Sequence, residues 1–509
     1  IFKELHISLP KSLEEDLDLC RQATNLGSLI QPQTPLETLE AIHDKLTGAI
    51  ESSDLFIRSN IQEVLRAISQ LIPLSKKYHC VVDNPPYMGG GNMNKELSTF
   101  VKKNYPDGKA DLMTCFMETG FAILHEAGYL GMINLPSWLF LSSFEKLRLK
   151  VVKTKLIDSL LHMGRGIFGI DWGSTAFVIK NKSEDHKAYY FKLHKRNFQH
   201  IYADDIRQIF LKAKNDDKTK IDFDRYREGE GLATVDELID ENGLQISYTV
   251  NQKDFEKIPG SPIGYWVSDS FINIFDKNEQ LNKKLDIKQG LATGNNLRFL
   301  RVWNEIELSK IGLKFESIKH AHISGKKWFP YNKGGGFRKW YGNQNYFVNW
   351  EKDGYEIKNN FDEKRKLRSR PQNTDFYFKE SITWGLISSK SFSPRYSPKG
   401  FVFDVAGSSG FSDVNLYYKL SLLCSKISAE ALRIFNPTLS FQVGDIKQIP
   451  YVENNVDIIN NISSNCIKIS KTDWDSRETS WDFQQNELIR CKSNCGQNCA
   501  DIDLLSEED

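Results

Sequence analysis

The stretch VVDNPPY, residues 81–87, ends an apolar run in a carboxylate, an amide, two prolines and an aromatic ring. An Asn side chain supplies an acceptor oxygen and an amide donor. Two prolines lack N–H groups and fix φ, so they make a rigid corner whose carbonyls point in set directions. The Asn84 oxygen and the Pro85 carbonyl can together accept two hydrogen bonds from one –NH2 group. Pro86 completes the corner, and Tyr87 offers a flat face on which a base can stack, a contact worth about 1–3 kcal/mol. The set suits an exocyclic amine on a planar ring. A plain Asn-Pro-Pro turn is the bland alternative, and the long apolar lead-in argues against it. The glycines that follow, in MGGGN, fit a mobile loop and carry little weight alone.

Two later clusters suit a polyanion. KKWFPYNKGGGFRKWYG mixes Lys326, Lys327, Lys333, Arg338 and Lys339 with tryptophans, tyrosines and phenylalanines. KRKLRSR packs Lys364, Arg365, Lys366, Arg368 and Arg370 into one short segment. Basic side chains bind phosphates and set register, while fewer side chains read base edges. Arg is suited to bidentate guanine contacts. The alternative is a solvated charged face with the aromatics in the core behind it.

These groups need a frame. Residues 36–50 and 54–74 carry apolar residues at helical spacing, and YHCVV then reads as a short buried strand. ADLMTCFMETGFAILHEAG reads as a helix stopping at Gly128. YLGMINL, LIDSLLHM and STAFVIKN read as strands, FEKLRLKVVKT as a helix, and KAYYFKLH as an extension of the sheet. Strands alternating with helices predict an α/β sheet with helices on both faces. In such folds ligands sit at the carboxyl ends of the strands, where Asn84 falls. Residues 201–244 are charged and poor in core residues, which suggests a linker or an exposed helix. Residues 245–450 have short segments, many aromatics and many turn signals, the texture of an irregular α+β domain. Residues 451–509 read as helical, then polar.

The 509 residues allow two to four domains, and an apolar content of 40% supports a sizeable core. Net charge is +1, so any nucleic-acid surface must be local. Of the eight cysteines, Cys20, Cys80, Cys115, Cys424 and Cys466 are scattered, which suits reduced thiols in a cytoplasm. Cys491, Cys495 and Cys499 have a C-x3-C-x3-C spacing that is not a standard zinc pattern, so no metal is expected. No apolar run reaches the roughly 18 residues of a membrane span.

VVDNPPYMGG, DLMTCFMETGFAIL, GYLGMINLPSWLFLSSFEKLR and STAFVI resemble consecutive motifs of the amino-group, γ-order DNA adenine methyltransferases. GLATGNNLRFLRVW, FSPRYSPKGFVFDVAGSSGF and NPTLSFQVGDIKQIP, together with the first basic cluster, are similar to PglX-type methyltransferases of BREX phage-defence systems. The resemblance covers roughly residues 70–490. It implies a partial Rossmann-like methyltransferase sheet of the α/β class over residues 1–200, an α+β target-recognition domain and a helical tail. Asn84, Pro85, Pro86 and Tyr87 would then be catalytic. The target adenine would be flipped out of double-stranded DNA, with Tyr87 on one face and Phe168 on the other. The methyl donor would be S-adenosylmethionine.

The γ order places the donor-binding motifs before the Asn-Pro-Pro-Tyr corner. Ahead of residue 83 the chain has only Gly27 and Gly48 and no Gly-x-Gly turn. The expectation is therefore an incomplete donor pocket, with an amino-terminal half supplied separately, or other defence-system proteins as partners. A non-catalytic DNA-binding remnant is the alternative. RNA or protein glutamine as the methylated substrate is a third reading, and the sequence shows no convincing nuclease motif.

Overall fold

A computed structural model describes residue 2 and residues 7–51, 55–165, 173–195, 200–226, 235–388, 391–486 and 489. Phe168, Cys491, Cys495 and Cys499 lie outside the described residues. The chain forms two compact units, Ile1–Ile272 and Asn273–Asp509.

The first unit begins with the helices Lys11–Cys20, Leu36–Ala49 and Leu55–Ser75. They bury Leu13, Leu39, Leu46, Ile61, Ile68 and Leu71 in one cluster, as the helical spacing of these residues predicts. Next come strand β1 (Tyr78–Asp83), the helices Lys95–Asn104 and Leu112–Ile123, and β2 (Leu124–Asn134). The expected helix to Gly128 ends at Ile123, and β2 starts at once. Gly128 lies within that strand because β1 passes close by: a Cβ there would sit 2.9 Å from the His79 carbonyl oxygen. The helix Glu145–Thr154 follows, then β3 (Leu156–Met163), β4 (Ser174–Lys180) and β5 (Lys187–Lys192). β6 (Lys220–Ile221) and β7 (Leu244–Gln245) form a small ribbon, and β8 (Ser247–Asn251) ends the series.

The main sheet runs β1-β2-β4-β3-β5-β8. β1 and β2 are parallel, as are β3 and β5, while β4 is antiparallel to both β2 and β3 and β8 is antiparallel to β5. β1, β2, β3 and β5 thus share one direction, with β4 and β8 reversed. Residues 245–272, read from sequence with the later domain, place β8 in this sheet. The charged segment after residue 200 is also more than a linker. Its helix Ala203–Asn215 buries Ile206, Ile209 and Ala213 against Leu193, Ile221 and Ile246.

Strand alternation gives the sheet two unlike faces. Leu130, Met132, Leu160, Phe177 and Ile179 pack with Met113, Met117, Leu147 and Val151 from the two helices on one side. On the other side Gly131, Ile133, Ser159, Leu161, Ala176 and Val178 are only partly buried.

The second unit holds two four-stranded sheets. β9 (Asp286–Lys288), β13 (Ser381–Thr383), β14 (Arg395–Ser397) and β16 (Ser409–Phe411) form the order β14-β13-β16-β9. β10 (Leu300–Val302), β11 (Trp328–Asn332), β12 (Tyr346–Asn349) and β15 (Val402–Phe403) form β10-β12-β11-β15. Its core includes Phe299, Phe329, Tyr331, Trp350, Tyr377, Phe378 and Phe403. Large rings let short strands exclude water, which explains the aromatic texture of this segment. The helix Val456–Asp475 follows, and no helix among the described residues is long and apolar enough to cross a membrane.

Candidate active site

β1 is an edge strand, and its parallel partner β2 delivers Asp83 opposite Met132. The backbone leaves the sheet at Asn84, at the carboxyl end of both strands. Asn84 is exposed, Pro85 is buried, Pro86 is exposed and Tyr87 is half-buried. The Tyr87 hydroxyl lies 3.2 Å from both the Asn84 Oδ1 and the Ile133 carbonyl oxygen, so it can donate to either. That contact ties the corner to the end of β2, and Tyr87 packs against the core cluster of the sheet.

The glycine loop beyond is fixed by Asp111. Its carboxylate accepts from the N–H of Met88 at 3.0 Å and of Met113 at 3.1 Å. One side chain therefore caps the helix Leu112–Ile123 and holds the Asn-Pro-Pro-Tyr loop against it. Burial pushes the Asp111 carboxyl pKa up, and the N–H groups of Met113, Met88 and Leu112 oppose that shift. Burial also raises the pKa of Asp83, opposed by the Asn84 N–H. The Tyr87 phenol is raised by burial and by the neighbouring Asp83 charge.

Asp83 and Asn84 border a cavity of about 300 Å³ on the half-open face of the sheet. Val82, Gly131, Ile133, Leu161, Ala176 and Val178 make the lining largely apolar. Ser159 is a further polar lining residue. An apolar slot with an amide at its rim can take a planar ring and hold its amine at the edge.

Two residues here escape sequence reasoning. Asn134, at the end of β2, is fully buried, and neither side-chain polar atom has a hydrogen-bond partner among the described residues. It is the counterpart on β2 of Asn84 after β1, and an amide ending the apolar run GMIN was the available signal. Arg148 is buried and donates to the carbonyls of Trp138, Leu141 and Gly260. It pins the PSWLFL loop after β2, and its burial lowers its pKa to about 10.

The basic clusters separate sharply. Lys326 donates to the Ser309 carbonyl, and Lys327 lies 3.5 Å from both Glu351 and Glu356. Lys333 pairs with Asp404 at 2.6 Å. Arg338 pairs with Asp473 and lies over the Trp474 ring, and Lys339 donates to the Cys424 carbonyl. In the other cluster Lys364, Arg365, Lys366, Arg368 and Arg370 are all exposed. The Asp362 carboxylate accepts from the N–H groups of Lys364 and Lys366, at 2.9 and 2.7 Å, and shapes their tight loop.

Residues 17–168, which include the Asn84–Tyr87 corner, match the Eco57I restriction-modification methylase family. Over 500 residues the chain is 35% identical to the adenine-specific methyltransferase BrxX of Escherichia coli O9:H4 (strain HS), covering 96% of this chain and 37% of BrxX. It is 36% identical over 478 residues to the adenine-specific methyltransferase PglX of Lacticaseibacillus casei (strain Zhang), covering 91% of this chain and 37% of that one. The chain is thus similar to these adenine-specific methyltransferases along nearly all of its own length, and it spans little more than a third of theirs. Among solved structures, the type IIL restriction-modification enzyme MmeI in complex with DNA aligns with a TM-score of 0.46 at 10% identity, over 79% of this chain and 50% of MmeI. Methyltransferases of this kind draw their methyl group from S-adenosylmethionine.

Proposed function

We propose that this chain is the base-gripping and DNA-recognising part of an adenine-specific DNA methyltransferase of BREX-type phage defence. The carrying observation is the Asn84–Tyr87 corner at the carboxyl end of a parallel strand, beside the apolar cavity bordered by Asp83 and Asn84. An adenine flipped from duplex DNA is held at that corner, at the rim of the cavity, with the Tyr87 ring as its stacking surface. Its amino group donates to the Asn84 Oδ1 and the Pro85 carbonyl. Two acceptors draw the nitrogen lone pair out of conjugation with the ring and aim it, so catalysis is orientation and electrostatic stabilisation. S-adenosylmethionine, when bound, would supply the electrophilic methyl carbon: its bond to sulfur would break as the N–C bond forms, S-adenosylhomocysteine would leave, and the amine would lose one proton to solvent. Phe168 would cover the second face of the base.

The chain's own residues fit the target base better than the methyl donor. The cavity lining is mostly apolar, and no Gly-x-Gly turn precedes Asn84. Val82 on β1 is 81% exposed, and the sheet face beyond it is half-open. Sheets of mainly parallel strands are covered on both faces, and a flat apolar edge invites a further strand. These features support a donor-binding amino-terminal half that continues the sheet beyond β1.

The exposed loop at residues 364–370 is the phosphate-binding element of the recognition unit, and the engaged lysines and arginines of the earlier cluster shape its surroundings. The test is transfer of labelled methyl from S-adenosylmethionine to adenine in duplex DNA. The chain alone is expected to give none. The chain mixed with an amino-terminal half taken from the BrxX relative is expected to give N6-methyladenine. Label on RNA or protein and not on DNA would overturn the proposal.

A further inference from the structure

Three segments far apart in sequence meet in the second unit. The loop GLATGNN, residues 290–296, exchanges backbone hydrogen bonds between Ala292 and Arg370, at 3.0 and 2.7 Å. Leu291 also donates to the Phe403 carbonyl at 2.8 Å. Gly290 is fixed by this packing, since a Cβ there would lie 1.9 Å from the Phe403 carbonyl oxygen. Ser369 and Asn360 both donate to the Thr293 carbonyl. The exposed basic loop is thereby clamped to a cavity of about 310 Å³ lined by Thr293, Asn295, Asn296, Lys333 and Asp404.

The hydrogen-bonding polarity of that cavity is one-sided. The Asn295 oxygen accepts from the Arg298 N–H at 3.1 Å, and the Asn296 oxygen accepts from the Thr293 hydroxyl. Both asparagines therefore have their oxygens turned to the protein, with one of two acceptor sites filled, while their amide nitrogens have no partner among the described residues and remain as donors. Asp404 is likewise engaged, by the Tyr331 hydroxyl, Lys333 and the Ala406 N–H. Lys333 retains two of its three N–H donors. Donors thus predominate among the free polar groups of the cavity.

We propose that this cavity reads the O6/N7 edge of a guanine in the major groove of the target duplex, a proposal that rests on the recognition unit contacting DNA. Guanine is the base that presents two acceptors there. Adenine pairs with an asparagine that offers both acceptor and donor, whereas the oxygens of these two asparagines are tied to the protein and only their nitrogens are wholly free. The 364–370 loop beside the cavity grips the phosphates and sets the register.

The test is selection of binding sites from a randomised duplex library by the full chain. Wild type is expected to enrich sites with an invariant guanine. Asn296→Asp and Asn295→Asp keep the internal acceptors and the shape while replacing the free donors, and each should lower the preference for that guanine about tenfold. Leu297→Asp adds the same charge at an adjacent residue that is 91% exposed, and should weaken all sequences alike without changing the preferred base. A uniform loss across sequences in the asparagine variants would show phosphate binding and overturn the assignment. Loss of the guanine in Leu297→Asp as well would overturn it too. Binding by wild type without sequence preference would sink the guanine reading and leave DNA binding standing, whereas no binding to any duplex would sink both.

Discussion

Tyr87 has two separable attributes, a ring and a hydroxyl. The hydroxyl contacts Ile133 and Asn84, while the ring is the surface proposed for the base. In the completed enzyme, Tyr87→Ala is expected to raise the KM for DNA about tenfold, in keeping with about 1–3 kcal/mol per stacked base. Tyr87→Phe should leave KM nearly unchanged. Equal increases in the two variants would show that the hydroxyl matters and the ring does not. The corner itself was legible in the sequence because Asn and Pro act locally, on their own dihedrals and hydrogen bonds. Asn134 was not, since its interest comes from complete enclosure by residues distant in the chain.

At the scale of elements, the loop after β2 hangs on Arg148. Arg148→Met keeps much of the apolar stem but strips three carbonyls of their donor. Unfolding free energy should fall by about 3 kcal/mol, given about 1–3 kcal/mol for a buried group left unsatisfied. Chemical denaturation measures this, and an unchanged midpoint would show that water replaces the guanidinium. β3 carries a second buried group, His162, whose Nδ1 lies 3.1 Å from the Tyr265 hydroxyl. Burial, then His194 and Lys192, hold its pKa well below the ordinary value. In the unfolded chain it returns to about 6.5. Below that pH the unfolded state binds the extra proton, so this contribution is present above about pH 6.5 and declines as pH falls. Denaturation midpoints should drop between pH 7.5 and 5, and less steeply in His162→Gln; parallel declines would exclude His162 as the cause. Alternating strands and helices predicted the sheet well, because periodicity reports which residues a core needs. The end of the helix at Ile123 was hidden, since the apolar residues around it suit helix and strand alike and only pairing with β1 decides.

Over the whole molecule, the charge pattern sorts into structure and surface. Clustering in sequence did not distinguish the two: Lys327, Lys333 and Arg338 meet acidic partners brought in by folding, whereas Lys364, Arg365, Lys366, Arg368 and Arg370 stay exposed. Replacing Arg365 and Arg368 with Ala is expected to weaken DNA binding at all sequences. It should also reduce the slope of log affinity against log salt by about one for each phosphate no longer neutralised. Fluorescence anisotropy at several salt concentrations reads this directly, and unchanged slopes would remove the loop from the interface. The half-open face beside Val82 and the Asn84 corner are the basis of the proposed division of labour, in which this chain would hold the base and a further half would bring the methyl group. The most direct test is methyl transfer by the completed enzyme carrying Asn84→Ala, with DNA affinity measured in parallel. Asn84 is exposed, so the fold should persist and DNA should bind as before. Transfer should fall by roughly a hundredfold or more, as for loss of one preorganised polar group in a transition state. Undiminished transfer by Asn84→Ala would contradict the account.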